Sequence, residues 1–258
     1  MIEPILLPAL LIGVFAGILT GLMGSSGVAV VVPGMILLGY SAHQAIGISL
    51  AVDMFASIVV TLVYQRHKSV NLREGIWIAL TAVLGAQIGS RLSAFVPGAG
   101  ISGGFGVFTI ISAIFFWRFG TQSNLNWLQT SRFTSQLERH AMAASAVIGL
   151  VIGAFSGMFG AGGGMMFMFA LILLGYDLHH AVGTSTLIMG LTTASGALGH
   201  AMIGNLPLLP MIGASLGTIL SGSLASRFAN QINEQALGRV IAVVFGIMGL
   251  FTILSQRI

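Results

Sequence analysis

The sequence predicts an all-α integral membrane protein made of two inverted-topology repeats, with about eight transmembrane helices and two short broken or re-entrant helices. Three observations predict this fold. Charged residues are only 6% of the 258 residues, against roughly a quarter in ordinary soluble proteins. Apolar residues make up 56% of the chain, and its mean hydropathy is +1.00. Apolar stretches also recur in two sets that align with each other, which indicates a duplication.

The apolar stretches give the order of the elements, because a bilayer span needs about 20 mostly apolar residues. The polar stretch 118–140 separates the two sets. We therefore predict a first transmembrane repeat over 1–117, a cytoplasmic linker over 118–140 and a second transmembrane repeat over 141–258. The stretches lie near 5–23, 28–39, 44–63, 75–94 and 100–117, and near 141–159, 164–175, 180–199, 207–225 and 237–254.

The duplication is visible as a gapless alignment of the halves at an offset of 136 residues (157 − 21). Nine of the 14 residues in 36–49 are identical to those in 172–185, whereas about one position in ten would match by chance. The regularly spaced glycines of 13–27 also fall on glycines of 149–163. Chance similarity between two glycine- and leucine-rich segments does not explain this agreement.

Basic residues predict the orientation, since Lys and Arg prefer the cytoplasmic side of a membrane. The loop 64–74 carries Arg66, Lys68 and Arg73, whereas its repeat partner 200–210 has no Lys or Arg. Equivalent loops of opposite charge character indicate that the halves insert upside down relative to each other. With 64–74 inside, eight of the ten basic residues are cytoplasmic, and only Arg91 and Arg257 are outside.

The candidate binding site is predicted at two glycine-rich breaks. The stretches 28–39 and 164–175 are too short for a comfortable span, and each follows such a break, as transporter binding sites often do. A helix that begins inside the membrane offers unpaired N–H groups and the positive end of its dipole to an anion. The alternative is that these glycines only allow close helix packing. The candidates are Gly24, Ser25, Ser26 and Gly27 in the first break and Gly160, Gly162, Gly163 and Gly164 in the second.

The second half resembles a known family at three motifs: Gly160-Ala-Gly-Gly-Gly164, Leu173-Leu-Gly-Tyr176 and His180-Ala-Val-Gly-Thr-Ser185. These are similar to the TauE/SafE family, the sulfite exporter or TSUP permease group of prokaryotic transporters. The resemblance implies transport of sulfur-containing anions across a prokaryotic inner membrane by a multi-pass protein. The first half departs from the pattern at Ser25-Ser26-Gly27 and at Gly47-Ile48-Ser49, so we expect two half-sites that are not equivalent.

Hydroxyl groups supply further candidate ligands. Ser49, Thr184 and Ser185 lie one to two turns into the helices that follow the short segments, where they would face the breaks and bind oxyanion oxygens. The alternative is that each hydroxyl bonds a carbonyl of its own helix, which is common in membranes.

Asp53 is the only acidic residue well inside an apolar stretch, four positions after Ser49 on the same predicted helix face. An acid within the membrane is costly and suggests a function. Two functional roles fit Asp53: carrying a coupling proton, or pairing with a basic residue. The alternative is a protonated acid that is hydrogen-bonded between helices.

Four other residues are candidates for coupling or gating. His43 and His179 occupy equivalent positions near the starts of their helices, and the alternative to a coupling role is that they are only interfacial side chains. Arg91 lies on the side that the charge rule disfavours, which fits either attraction of anions or a side chain reaching the headgroups. Gln87 lies one turn earlier on the same face.

Together these features predict a secondary transporter that moves a small anion by alternating access, and the family resemblance implies export of a sulfur-containing anion (sulfite, sulfoacetate or a related organosulfonate). The alternative is a passive anion channel. The chain contains no catalytic motif and no phosphate-binding loop, and its His, Asp and Glu residues lack metal-ligand spacing, so we expect neither enzyme activity nor a cofactor or metal. The expected partners are the anion and the bilayer, not nucleic acid. The sequence leaves a homo-oligomer open.

Overall fold

The computed structural model describes residues 3–23, 26–66, 70–119, 141–174, 176 and 178–228, together with isolated positions between 239 and 250. Within these residues the protein is entirely helical, with nine helices and no strand. The helices are α1 Glu3–Met23, α2 Val28–Leu37, α3 Ala42–Arg66, α4 Leu72–Ser93, α5 Gly98–Phe119, α6 Ala141–Phe159, α7 Gly164–Leu173, α8 Leu178–Met202 and α9 Leu208–Phe228.

Five of the described helices are long and apolar enough to cross a membrane, which makes this a multi-pass membrane protein. Helices α5 and α6 contain shorter apolar segments. Their crossing, and that of the stretch 237–254, therefore stays a prediction. Three predicted parts of the chain lie outside the described residues: most of 237–254, the break residues Gly24 and Ser25, and residues 120–140 of the linker. The five long segments are Ile5–Leu22, Ala42–Arg66, Gly75–Ser93, His180–Met202 and Leu208–Arg227.

The outer surface of the helices is apolar, as a lipid environment requires. Large apolar side chains that are at least 60% exposed occur on several helices. In water such a surface would favour aggregation, whereas lipid tails solvate it without cost. Examples are Leu7, Phe15, Trp77, Leu84, Trp117 and Leu220.

The helix bounds recur at the spacing that the sequence alignment predicts. Helices α2 and α7 both have ten residues and begin 136 residues apart (164 − 28). Helices α3 and α8 both have 25 residues and begin at the same separation. The short helices therefore occupy matching places in the chain, each between a break and a long helix.

Most of the regularly spaced glycines before the breaks serve helix packing. Helix α1 packs chiefly against α9, and α4 packs chiefly against α6. A Cβ on Gly13 would lie 2.0 Å from the Ala214 carbonyl oxygen, and one on Gly153 would lie 2.1 Å from that of Ala82. These helices approach so closely only because the side chains are absent. The packing interpretation therefore holds for these glycines of α1 and α6, and the breaks need a separate explanation.

Helices α3 and α8 occupy the centre of the protein and pack against each other. Helices α2 and α9 pack against α3, and helices α4 and α7 pack against α8. Residues 45–53 of α3 are all buried, including the polar residues Ser49 and Asp53, and Ser57 one turn later is also buried. This placement removes the carboxyl group of Asp53 from lipid and sets it beside the start of α2.

Candidate functional site

Both short helices begin in the interior of the protein, directly after a break in the chain. Helix α1 ends at Met23 before α2, and α6 ends at Phe159 before α7. In the second break Gly162 and Gly163 have φ angles of +58° and +76°, in the left-handed region that strains any residue with a Cβ. Gly27 of the first break has a φ of −77°, so the two breaks differ in backbone conformation.

Asp53 binds the start of α2. One carboxylate oxygen accepts a hydrogen bond from the Ser26 hydroxyl, and the other accepts one from the Gly27 N–H at 3.0 Å. The Ser26 hydroxyl in turn accepts a bond from the Val28 N–H at 3.1 Å. The first N–H groups of α2 are thus satisfied by side chains, in the manner of a helix N-cap, but the carboxylate comes from another helix.

The second break lies directly against this carboxylate. A Cβ on Gly162 would be 2.5 Å from the nearer oxygen of Asp53 and 2.8 Å from the Ser26 hydroxyl oxygen. Only glycine fits in this space, whatever its φ angle. The two breaks, which are far apart in the sequence, therefore meet at Asp53.

The start of α7 differs from that of α2, because no described side chain accepts a hydrogen bond from its first N–H groups. The residue before the helix is Gly163, which has no side chain to cap it. A small cavity with room for about one water molecule lies beside this helix end. It is lined by Ser26, Val28, Phe108, Ala161, Gly163, Met165 and Met166.

Ser49 reaches the second break from α3. Its hydroxyl donates to the Gly160 carbonyl oxygen at 3.4 Å, and the side chain is fully buried. Ser49 is thus the hydroxyl residue, among the three predicted from the sequence on α3 and α8, that contacts a break. Gly164 begins α7 and is buried there.

Thr184 and Ser185 make their hydrogen bonds elsewhere. The Thr184 hydroxyl oxygen accepts a bond from the Asn71 N–H at 3.0 Å, at the start of α4. Ser185 donates to the Val182 carbonyl oxygen of its own helix at 2.8 Å, as the alternative interpretation of these hydroxyls describes. In this structure neither hydroxyl bonds to a break residue.

The candidates for coupling and gating lie around the end of α4. A ring nitrogen of His43 is 3.0 Å from the Ser93 carbonyl oxygen. Gln87 donates its amide N–H to the carbonyl oxygen of Ser195 on α8 at 2.7 Å. Arg91 is exposed, and the side chain of His179 lies outside the described part of the chain.

Two buried polar residues beside the second break were missed in the sequence. His200 is fully buried, with Nε2 at 3.0 Å from the Gly157 carbonyl oxygen, while its Nδ1 has no partner. The hydroxyl of Ser156 is also buried without a partner. The sequence signal for His200 is a histidine at the end of a long apolar stretch. It was missed because the predicted stretch, 180–199, stops one residue before it. Unsatisfied buried polar groups are uncommon and call for water or a ligand.

The chemistry of this region suits a small anion. Hydroxyl and backbone N–H donors surround the breaks, and no described Lys or Arg forms an ion pair with Asp53. Neutral donors at a helix start bind an anion without the cost of burying a cationic side chain. In the described ranges no three His, Asp or Glu residues are grouped to hold a metal ion.

Comparison with known proteins agrees with a transport role. The sequence profile described as "Sulfite exporter TauE/SafE" matches residues 9–252. "Probable membrane transporter protein YunE" of Bacillus subtilis is 24% identical, over 92% of this chain and 93% of its own. A "Probable membrane transporter protein" of Methanocaldococcus jannaschii is 26% identical, over 97% of this chain and 96% of its own. One of Xylella fastidiosa is 28% identical, over 93% of this chain and 92% of its own. No solved structure matches the chain.

We predict that Gly162→Ala lowers the melting temperature of the purified protein more than Gly204→Ala does. Both glycines have positive φ angles, +58° and +78°, so each substitution strains the backbone by about 1 kcal/mol or more. Only at Gly162 does the added Cβ also meet Asp53 and Ser26, whereas nothing lies within 4 Å at Gly204. Thermal unfolding in detergent measures both. Equal losses of stability would show that the second break does not contact Asp53.

Proposed function

Because the chain belongs to the sulfite exporter TauE/SafE family, we propose that it exports a small sulfur-containing anion across a prokaryotic inner membrane. Members of this family are membrane transporters and not enzymes. The proposed substrates are sulfite, sulfoacetate or a related organosulfonate, in which several oxygens share the negative charge. The description of the family supports sulfur, and the bacterial and archaeal relatives support a prokaryotic membrane.

The observation that carries the proposal is the start of α7, where backbone N–H groups without a capping side chain adjoin a small cavity. Oxygens of sulfite or of a sulfonate accept hydrogen bonds from such groups, and the helix dipole favours their charge. Ser26 of the opposite break lines the same cavity, and its hydroxyl, which donates to Asp53 in this structure, becomes a further donor for the anion when that bond opens. The proposed ligands are the break residues together with Ser49.

We further propose that the halves are inverted repeats that rock around this site. The pairing of α1 with α9 and of α4 with α6 joins the first helix of each half to the fourth helix of the other. Such reciprocal pairs are suited to move as rigid bodies against the central helices α3 and α8. Alternating access in transporters with inverted repeats has this form.

The proposed function predicts saturable transport. In proteoliposomes the protein should catalyse counterflow of radiolabelled sulfite, and unlabelled sulfoacetate should inhibit it more than acetate does. Gly163→Val should lower the rate at least about tenfold, the effect of weakening binding by about 1.4 kcal/mol. Its added carbons would crowd Phe167 at the start of α7, where a Cβ already comes within 2.8 Å.

Gly204→Val is the matched control, since Gly163 and Gly204 have φ angles of +76° and +78° but Gly204 lies in an open turn. It should keep most of the flux. Absence of counterflow for every sulfur anion would refute the proposed function. Fast flux that does not saturate would indicate a channel instead of a carrier.

A further prediction concerns the inverted insertion. The chain has no Cys, so single cysteines report the side of each loop. A membrane-impermeant maleimide added to whole cells should label Ile203→Cys, which is in the exposed turn after α8. It should label Lys68→Cys in the equivalent loop of the first half only after the membrane is permeabilised. Labelling of both residues from the same side would contradict inverted repeats.

A further inference from the structure

The two short helices offer unequal binding sites at their starts. At α2 the N–H of Gly27 and the hydroxyl of Ser26 are bound to the Asp53 carboxylate. At α7 no described side chain takes the equivalent place. The residue that matches Asp53 in the second half is Met189, which is buried and apolar. Only one of the two helix starts is therefore occupied by the protein itself.

The Asp53 carboxyl group is held by donors of the kind that would bind an oxyanion at a helix start. It is fully buried, it accepts hydrogen bonds from a hydroxyl and a backbone N–H, and no described cation pairs with it. These donors are the ones that a sulfite or sulfonate oxygen would use at the same helix start. The carboxylate and such a ligand would therefore accept hydrogen bonds from the same two donors.

The space around the site does not hold both anions. The cavity beside Ser26 has room for about one water molecule, which is less than the four heavy atoms of sulfite require. On the side of the carboxylate, Gly162 is so close that even a Cβ would meet it. Room for an oxyanion therefore requires a side chain near the cavity to move, and the Asp53 carboxyl group, which is hydrogen-bonded to Ser26 in the cavity lining, is the candidate.

We propose that the Asp53 carboxylate is a tethered anion that occupies the substrate site and must leave the start of α2 before the substrate binds. This inference rests on the proposed function. Substrate and carboxylate then compete for Ser26 and Gly27, so the apparent affinity for substrate is reduced by the fraction of molecules in which the carboxylate is bound. Asp53 thus sets the affinity for substrate, and the second half has Met189 at the equivalent position.

The experiment compares the concentration of radiolabelled sulfite that half-saturates counterflow in the wild type, Asp53→Asn and Asp53→Glu. Asn keeps the size of the side chain and removes its charge, so half-saturation should occur at about tenfold lower sulfite. Glu keeps the charge and should bind sulfite no more tightly than the wild type does. Met189→Leu is the matched control at the equivalent position and should leave half-saturation unchanged, because the two side chains have similar volumes.

An Asp53→Asn variant that is monodisperse in detergent and half-saturates at an unchanged or higher sulfite concentration would overturn the inference. If Asp53→Asn does not give monodisperse protein, Asp53→Ser takes its place with the same expectation. A purely structural role would lower the maximal rate or the yield without tightening the binding of sulfite. Failure of the proposed function is distinguishable, since the wild type itself would then show no counterflow with any sulfur anion.

Discussion

At the centre of the protein, the Asp53 carboxylate accepts hydrogen bonds from Ser26 and Gly27 while it lies against Gly162. This contact joins three segments of the chain: the first break, the middle of α3 and the second break. It satisfies the start of one short helix with a buried carboxyl group and brings the other break to the same point. The proposed binding site exists only because these segments meet there.

The need to satisfy backbone groups away from water explains why the breaks differ. A helix that starts inside a membrane protein leaves N–H groups that must find partners in the protein or in a ligand. In the first break Asp53 and Ser26 are those partners. In the second break Gly162 and Gly163 turn the chain, but they contribute no side chain to cap α7. The start of α7 is therefore open to a ligand, whereas the donors at the start of α2 are held by Asp53.

Much of the fold follows from the sequence because membrane helices depend on local apolar length. The predicted stretches 28–39 and 164–175 correspond to the helices Val28–Leu37 and Gly164–Leu173. The offset of the repeat also matches the helix bounds. Glycine spacing alone did not separate packing from binding, because Gly13 and Gly153 differ from Gly162 in backbone φ angle and in the groups that face them, and spacing reveals neither.

The contacts of the site depended on tertiary structure that no periodicity reveals. Asp53 was singled out as an acid in an apolar stretch, but its partner Ser26 lies 27 residues away, across a break. Thr184 has the right depth in its helix, yet it bonds Asn71 at the start of α4. His200 was missed because its partner, the Gly157 carbonyl, belongs to a different helix.

The most direct test of the site is to locate a bound anion. Selenite is a heavier analogue of sulfite, and a crystal of the protein grown with selenite allows the selenium atom to be found by its anomalous scattering. We expect a selenium peak between Ser26 and the first residues of α7, with the Asp53 carboxyl group withdrawn from α2. A peak remote from both breaks, with Asp53 still bound to Ser26, would contradict the account.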